Sequence, residues 1–247
     1  GQFVANPMKS FSLAALLVLA PLLAPAQPDG PLTPEQSLKV LRHEAGVRVE
    51  VAVAEPLTAD PAAVVWDEHG RMFVAEERGY PVGPGEGKPA AGIIAMLEDT
   101  DGDGRYDKRT VFADGLTFPN GMMPWKGGLY VTCAPDIYYL KDTDGDGRAD
   151  IRRVVLTGFS TKSTTQLRVS HPTLGFDGKF YVTSGLNGGK VTSPLHPERD
   201  AVSFTPSDSR FDPDTFFFER TGGRGQFGLT FDAFGRRFVC SNRHPVI

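Results

Sequence analysis

One pattern recurs four times along the chain, and it constrains the fold more than any other feature. It consists of an apolar pair, a turn containing glycine, and a strand of aromatic and β-branched residues. The copies run Val64 to Val74, Met122 to Val131, Leu174 to Val182 and Leu229 to Val239. Their closing valines are 57, 51 and 57 residues apart. Each copy reads as a β-hairpin, and no helical period runs through these regions. Sheets repeating at this spacing predict propeller blades. The chain therefore reads as all-β, a partial six-bladed β-propeller with about four blades present. Six blades of roughly 50 residues need about 300 residues, so the sequence is read as the N-terminal part of a longer ring. Trp66, Trp125 and the run Phe216 to Phe218 are expected to pack between blades.

Between the hairpins lie two near-identical acidic loops, 43 residues apart. The first holds Asp99, Asp101, Asp103, Gly104 and Asp107, and the second Asp142, Asp144, Asp146, Gly147 and Asp150. Segments 96–116 and 139–159 share 12 of 21 residues. Carboxylates at loop positions 1, 3 and 5 can converge on a calcium ion, with glycine at position 6 making the turn. Position 7, Arg105 or Arg148, offers a backbone carbonyl, and the acid at position 9 acts through a water. The bidentate glutamate of a helix–loop–helix site is missing, since position 12 is Thr110 or Arg153. The flanks read as strands, so these are calcium loops in a β context that hold blades together. The bland alternative is a pair of solvated turns, because Asp and Gly are natural turn formers.

Residues 1–26 comprise an upstream stretch and a secretory signal peptide. A basic start at Met8-Lys9 leads to an apolar run from Phe11 to Leu23 and an Ala24-Pro25-Ala26 cleavage site. Residues 27–247 are then the exported part, periplasmic or extracellular, with no further apolar stretch of spanning length. The formal charge of −4 argues against a nucleic-acid partner. Cys133 and Cys240 fit either a disulfide or free thiols. No C-x-x-C-H occurs, so the chain itself carries no c-type haem. Thr33-Pro34-Glu35-Gln36 predicts a capped N-terminal helix of at most about three turns. The alternation of Val47, Val49, Val51 and Val53 predicts a half-buried strand.

Glu98 to Arg105, followed by Val111 to Trp125, resembles a family of large exported proteins named as membrane-bound dehydrogenases. So do Ala134 to Ile137, Gln166 to Val169 and Gln226 to Gly228. The resemblance covers roughly residues 33–247. It implies a propeller similar to that of soluble quinoprotein glucose dehydrogenase, and oxidation of a sugar or other alcohol. The implied cofactors are pyrroloquinoline quinone and calcium, with haem c only in a downstream cytochrome c domain that takes the electrons. On this reading calcium could bind the quinone oxygens directly. A fragment of such a protein is expected to be inactive alone. Two other classes remain open: a calcium-stabilised binding propeller without catalysis, and a calcium-dependent hydrolase of the lactonase type.

Loops that precede inner strands line the mouth of a propeller channel, which directs attention to a few polar residues. His171 is the candidate base, since imidazole titrates in the useful range. Arg168 and Gln166 share its loop and are the candidate partners for substrate. Glu76, Arg78 and Tyr80 follow the first hairpin, and Gln226 and Asn242 hold matching places around the fourth. These five are the candidate cofactor ligands, each set against an ordinary polar loop. His43, His69, His196 and His244 show no metal-ligand spacing.

Overall fold

A computed structural model describes residues 30–162 and 164–247. The signal-peptide and upstream segments lie outside these residues. The chain divides into two compact units, Gly1–Val49 and Glu50–Ile247. In the first, helix α1 spans Pro34–Val40. Its start is the predicted capping box: Gln36 N donates to Thr33 Oγ1 at 3.2 Å, and Thr33 N donates to Gln36 Oε1 at 2.9 Å. At seven residues it is shorter than the three turns allowed for it.

The second unit holds sixteen strands in four antiparallel sheets. The strands are β1 Pro61–Trp66, β2 Met72–Glu76, β3 Gly92–Glu98, β4 Lys108–Leu116, β5 Gly121–Trp125, β6 Gly128–Cys133, β7 Asp136–Lys141 and β8 Ile151–Phe159. There follow β9 Ser170–Leu174, β10 Phe180–Thr183, β11 Gly189–Thr192, β12 Val202–Phe204, β13 Ser209–Phe211, β14 Phe218–Arg220, β15 Phe227–Phe231 and β16 Arg237–Cys240. Strands β1 to β4 pair in chain order as one meander, and β5 to β8 do the same. The third sheet runs β9-β10-β13-β14, and the fourth is the hairpin β15-β16. All four predicted hairpins form. The arrangement is propeller-like and all-β, as the repeat implied.

Burial explains why these segments behave as blades. Every residue of β2 and of β6 is buried. Strands covered on both faces carry near-continuous apolar runs instead of alternating ones, as Met72 to Ala75 and Leu129 to Val131 do. Phe73, Ile94 and Leu116 pack with Met122, Leu129 and Leu140 between the first two sheets. Tyr130, Phe180 and Phe211 meet edge to face between the second and third, with centroids 5.1 to 5.7 Å apart.

Several expectations are corrected. Residues 47–53 form no strand, and Val47 and Val49 are exposed. Alternation assigns faces to a strand but does not supply a neighbour, and no described strand pairs with this segment. Strands β11 and β12 were not foreseen. They leave the third sheet between β10 and β13 and extend the second through β11–β8 pairing. Trp125 packs edge-on against Phe180, but Trp66 is largely exposed and hydrogen-bonds Tyr106. Phe218 is buried, whereas Phe217 points to solvent. Cys133 and Cys240 are both free thiols. No helix among the described residues is long and apolar enough to cross a membrane.

Candidate functional site

The first strands of the four hairpins lie side by side, β1 against β5, β5 against β9, and β9 against β15. Their starting ends converge on a cavity of about 300 Å³, with Ala62, Asn120, His171 and Phe227 contributed by the four repeats. Glu77 and Tyr80, from the loop after β2, and Thr165, Gln166 and Ser170, from around the start of β9, add to its polar lining. Such a volume falls at the small end of ligand pockets.

His171 sits there because the local sequence forces it. Its backbone is left-handed, at φ 54°, an uncommon state for a residue other than glycine. Opposite it, a Cβ on Gly121 would lie 2.7 Å from His171 N, so no side chain fits at position 121. The imidazole Nδ1 lies 2.8 Å from Ser170 Oγ. Burial pushes the His171 pKa below its ordinary value, which keeps the ring neutral at pH 7. The loop before β9 is fastened on both sides. Thr165 Oγ1 donates to the Pro81 carbonyl at 3.3 Å, and Asn187 donates to the Leu167 carbonyl.

Glu77 follows the last residue of β2, and its N–H donates to the Asp60 carbonyl at 3.0 Å. Burial raises its carboxyl to about 7, against the opposing attraction of Arg168. A carboxyl raised to about 7 and an imidazole pushed below its ordinary value thus share one cavity, and shifted groups of this kind are frequent at catalytic sites. Asn120 accepts from Thr132 Oγ1 through Oδ1 at 2.8 Å, which leaves its amide NH₂ as a donor.

The structure brings three of the sequence candidates, His171, Gln166 and Tyr80, to the cavity. Arg168 acts on it through the charge of Glu77, while its Nε donates to the Thr164 carbonyl. Glu76 is elsewhere. It is fully buried and paired with Arg78 at 2.8 Å and Arg109 at 2.9 Å. Arg78 is thereby engaged in holding the blade. Gln226 is buried too, and its Oε1 accepts from Asn242 N at 3.1 Å, fastening the chain after β16. Asn242 itself is exposed and away from the cavity lining. Sequence reasoning missed Glu77, Asn120 and Ser170. Asn120 and Ser170 each sit at the start of a hairpin's first strand, and that shared repeat position was a usable signal. Glu77 differs from Glu76 only by lying one residue past the end of β2.

The two acidic loops are the β3–β4 and β7–β8 turns, in the β context expected. In the first, Asp99 accepts from Gly102 N and Gly104 N, Asp101 from Asp103 N, and Asp103 from Arg105 N. The second repeats each bond, with Asp142, Asp144 and Asp146 accepting from Gly145, Gly147, Asp146 and Arg148. In each loop the first three acids offer carboxylate oxygens within 4.8 Å of one another. Asp107 and Asp150 stand outside those clusters, bonded instead to Thr100 and Thr143. Register fixes where the loops lie. Met72 pairs with Leu97 and Glu76 with Ile93, so the first loop adjoins the β1–β2 turn. The cavity adjoins the opposite end of β2, five residues away, or about 17 Å. The second loop, after Lys141 opposite Gly128, lies at that same far end.

The geometry defines a propeller-like β protein with a polar cavity where its inner strands meet. The chain belongs to the family described as Domain of unknown function (DUF7133), which matches residues 33–247. Among solved structures, it is similar to the holo pyranose dehydrogenase PQQ domain of Coprinopsis cinerea, at 14% identity and TM-score 0.47, covering 76% of this chain and 44% of that one. It is also similar to a Thermus thermophilus protein assigned as an oxidoreductase (glucose dehydrogenase), at 18% identity and TM-score 0.49, covering 78% and 61%. A third is the calcium structure of a Trichoderma reesei protein of Carbohydrate-Active Enzymes family AA12, at 13% identity and TM-score 0.41, covering 77% and 64%. The chain spans less than two thirds of the length of each. A comparison with curated proteins found no match.

Proposed function

We propose that this chain supplies the substrate cavity of an exported quinoprotein-like dehydrogenase that oxidises a sugar or another alcohol. The observation that carries this reading is the half-buried His171, its pKa lowered by burial, in the cavity where the inner strands meet. Removing hydride from an alcohol carbon requires a base at the hydroxyl. A neutral imidazole fills that role at pH 7, and Glu77 beside it can pass the proton onward. Gln166, Asn120 and Tyr80 supply the hydrogen bonds that would fix the orientation of a polyhydroxy substrate.

The donor set also suits pyrroloquinoline quinone, which carries carbonyl and carboxylate oxygens. Gln166 and Asn120 would donate to it, and Arg168 is the nearby cation. When bound, the quinone would supply the hydride acceptor. The electrons would then pass to a cytochrome c domain or another acceptor outside this chain.

Calcium is assigned to the two loops, held by Asp99, Asp101 and Asp103 and by Asp142, Asp144 and Asp146, the clusters whose oxygens already converge. The carbonyls of Arg105 and Arg148 would add to the proposed shells, with Asp107 and Asp150 acting through a water. Their position at the far end of the strands favours a structural role over contact with a quinone, and the second loop is placed to join two sheets.

The test is dye-linked alcohol oxidation by the complete protein supplied with quinone and calcium. His171→Ala should lower kcat/KM by about 10²- to 10⁴-fold, the usual worth of a general base. Lactone hydrolysis without quinone would instead identify a hydrolase. Unchanged turnover in His171→Ala would remove the base assignment.

A further inference from the structure

The His171 imidazole ends a short chain of hydroxyls whose protons can be counted. Thr183 Oγ1 donates to the Ser170 carbonyl at 3.2 Å. The same oxygen lies 2.9 Å from Ser170 Oγ. A hydroxyl has one proton to give, and that of Thr183 is already on the carbonyl. The Ser170–Thr183 contact by itself admits either oxygen as donor; with the Thr183 proton given to the carbonyl, Ser170 is the donor. With its own proton committed, Ser170 Oγ accepts at its other contact, 2.8 Å from His171 Nδ1. The hydrogen on that bond belongs to Nδ1. A neutral imidazole carries one N–H, so Nε2 keeps its lone pair, and no described residue bonds to it.

From this accounting, we infer that Ser170 and Thr183 are positioning residues that lock His171 in the Nδ1–H tautomer and leave Nε2 as the proton acceptor in the cavity. Water competes poorly for the chain, since Ser170 is 3% exposed and Thr183 is fully buried. The backbone helps, because Gly121 and the left-handed φ of His171 allow one approach of the ring. The inference deepens the base role proposed above and rests on it for its consequence. The tautomer itself is observable without substrate or cofactor, so the two can fail separately.

The experiment is nitrogen-15 NMR of the histidine-labelled chain at about pH 8, where imidazole is neutral, with His171→Asn identifying the signal. The wild type should show Nδ1–H. Thr183→Val keeps the shape but removes the acceptor for the Ser170 proton. Ser170 then donates to Nδ1, and the tautomer should reverse to Nε2–H. Thr183→Ser should restore the wild-type signature, and Ser170→Ala should give averaged shifts of both tautomers. An Nε2–H signal in the wild type, or a Thr183→Val variant unchanged in tautomer, would overturn the proposal. Should Thr183→Val not fold, the Ser170→Ala and Thr183→Ser spectra decide it by the same criteria.

Discussion

The two acidic loops share all but one residue and the same hydrogen bonds from backbone N–H to aspartate, yet they are held by different neighbours. At loop position 8 the backbone N–H reaches out in both. From Tyr106 it goes to the Ala52 carbonyl, and from Ala149 to the Phe112 carbonyl of β4, each at 2.8 Å. The first loop thus leans on an irregular segment and, through the Tyr106 hydroxyl, on Gly70 of its own sheet. The second docks onto the sheet before it. Gly147 faces Met96 and Thr110, and Arg152, just after the loop, donates to the carbonyls of Asp114 and Gly115. Identical local chemistry therefore serves one loop as a turn and the other as a clamp between sheets.

Calcium gives the largest expected test of that contrast. An ion at 100 times its Kd stabilises the folded state by about 2.7 kcal/mol per site. Chelation should therefore lower the Tm, and Asp142→Ala should lower it more than Asp99→Ala, because only the second loop joins two sheets. Equal losses in thermal melts would break the comparison, and no response to calcium would remove the metal from it.

Glycine substitutions sharpen it at smaller scale. Gly104 and Gly147 have φ of 89° and 84°, so alanine at either is strained, by roughly 1–2 kcal/mol. A Cβ at Gly104 meets nothing within 4 Å, whereas one at Gly147 lies 3.1 Å from the Met96 methyl and 3.2 Å from Thr110. Crowding should make Gly147→Ala worse by about 1 kcal/mol. Denaturant titration of the two variants reads the difference directly.

The smallest effect contrasts the loops with the cavity through pH. Hydrogen bonds from Thr100 and Thr143 hold the Asp107 and Asp150 carboxyls below their ordinary range. Their contribution to stability is present above the unfolded carboxylate value and is lost as pH falls through the lower folded one. Glu77 has the opposite sign. Its pKa is raised from 4.5 to about 7, so its contribution is complete below 4.5 and declines as pH rises towards 7. Glu77→Gln should flatten the Tm profile over that interval and leave the acid limb unchanged. A profile identical to wild type would place Glu77 in solvent.

Short-range chemistry was legible in the sequence. The four hairpins, the Thr33–Gln36 capping box and both acidic turns depend on residues a few positions apart. Hydrogen bonds between neighbours in the chain decide such elements, and turn residues announce them. His171 and Gln166 were also singled out, because their loop precedes a recognisable strand, and both line the cavity. What the tertiary structure decided was partnership. Residues 47–53 alternate as a strand does, but a ladder needs a second strand. Strands β11 and β12 join a sheet formed some thirty residues earlier (β8 ends at Phe159 and β11 begins at Gly189). Glu76 and Glu77 are adjacent and chemically alike, yet Glu76 ends β2 in a buried ion pair and Glu77, in the loop after it, lines the cavity. A sequence lists the groups a site needs; the convergence of four inner strands selects which of them meet.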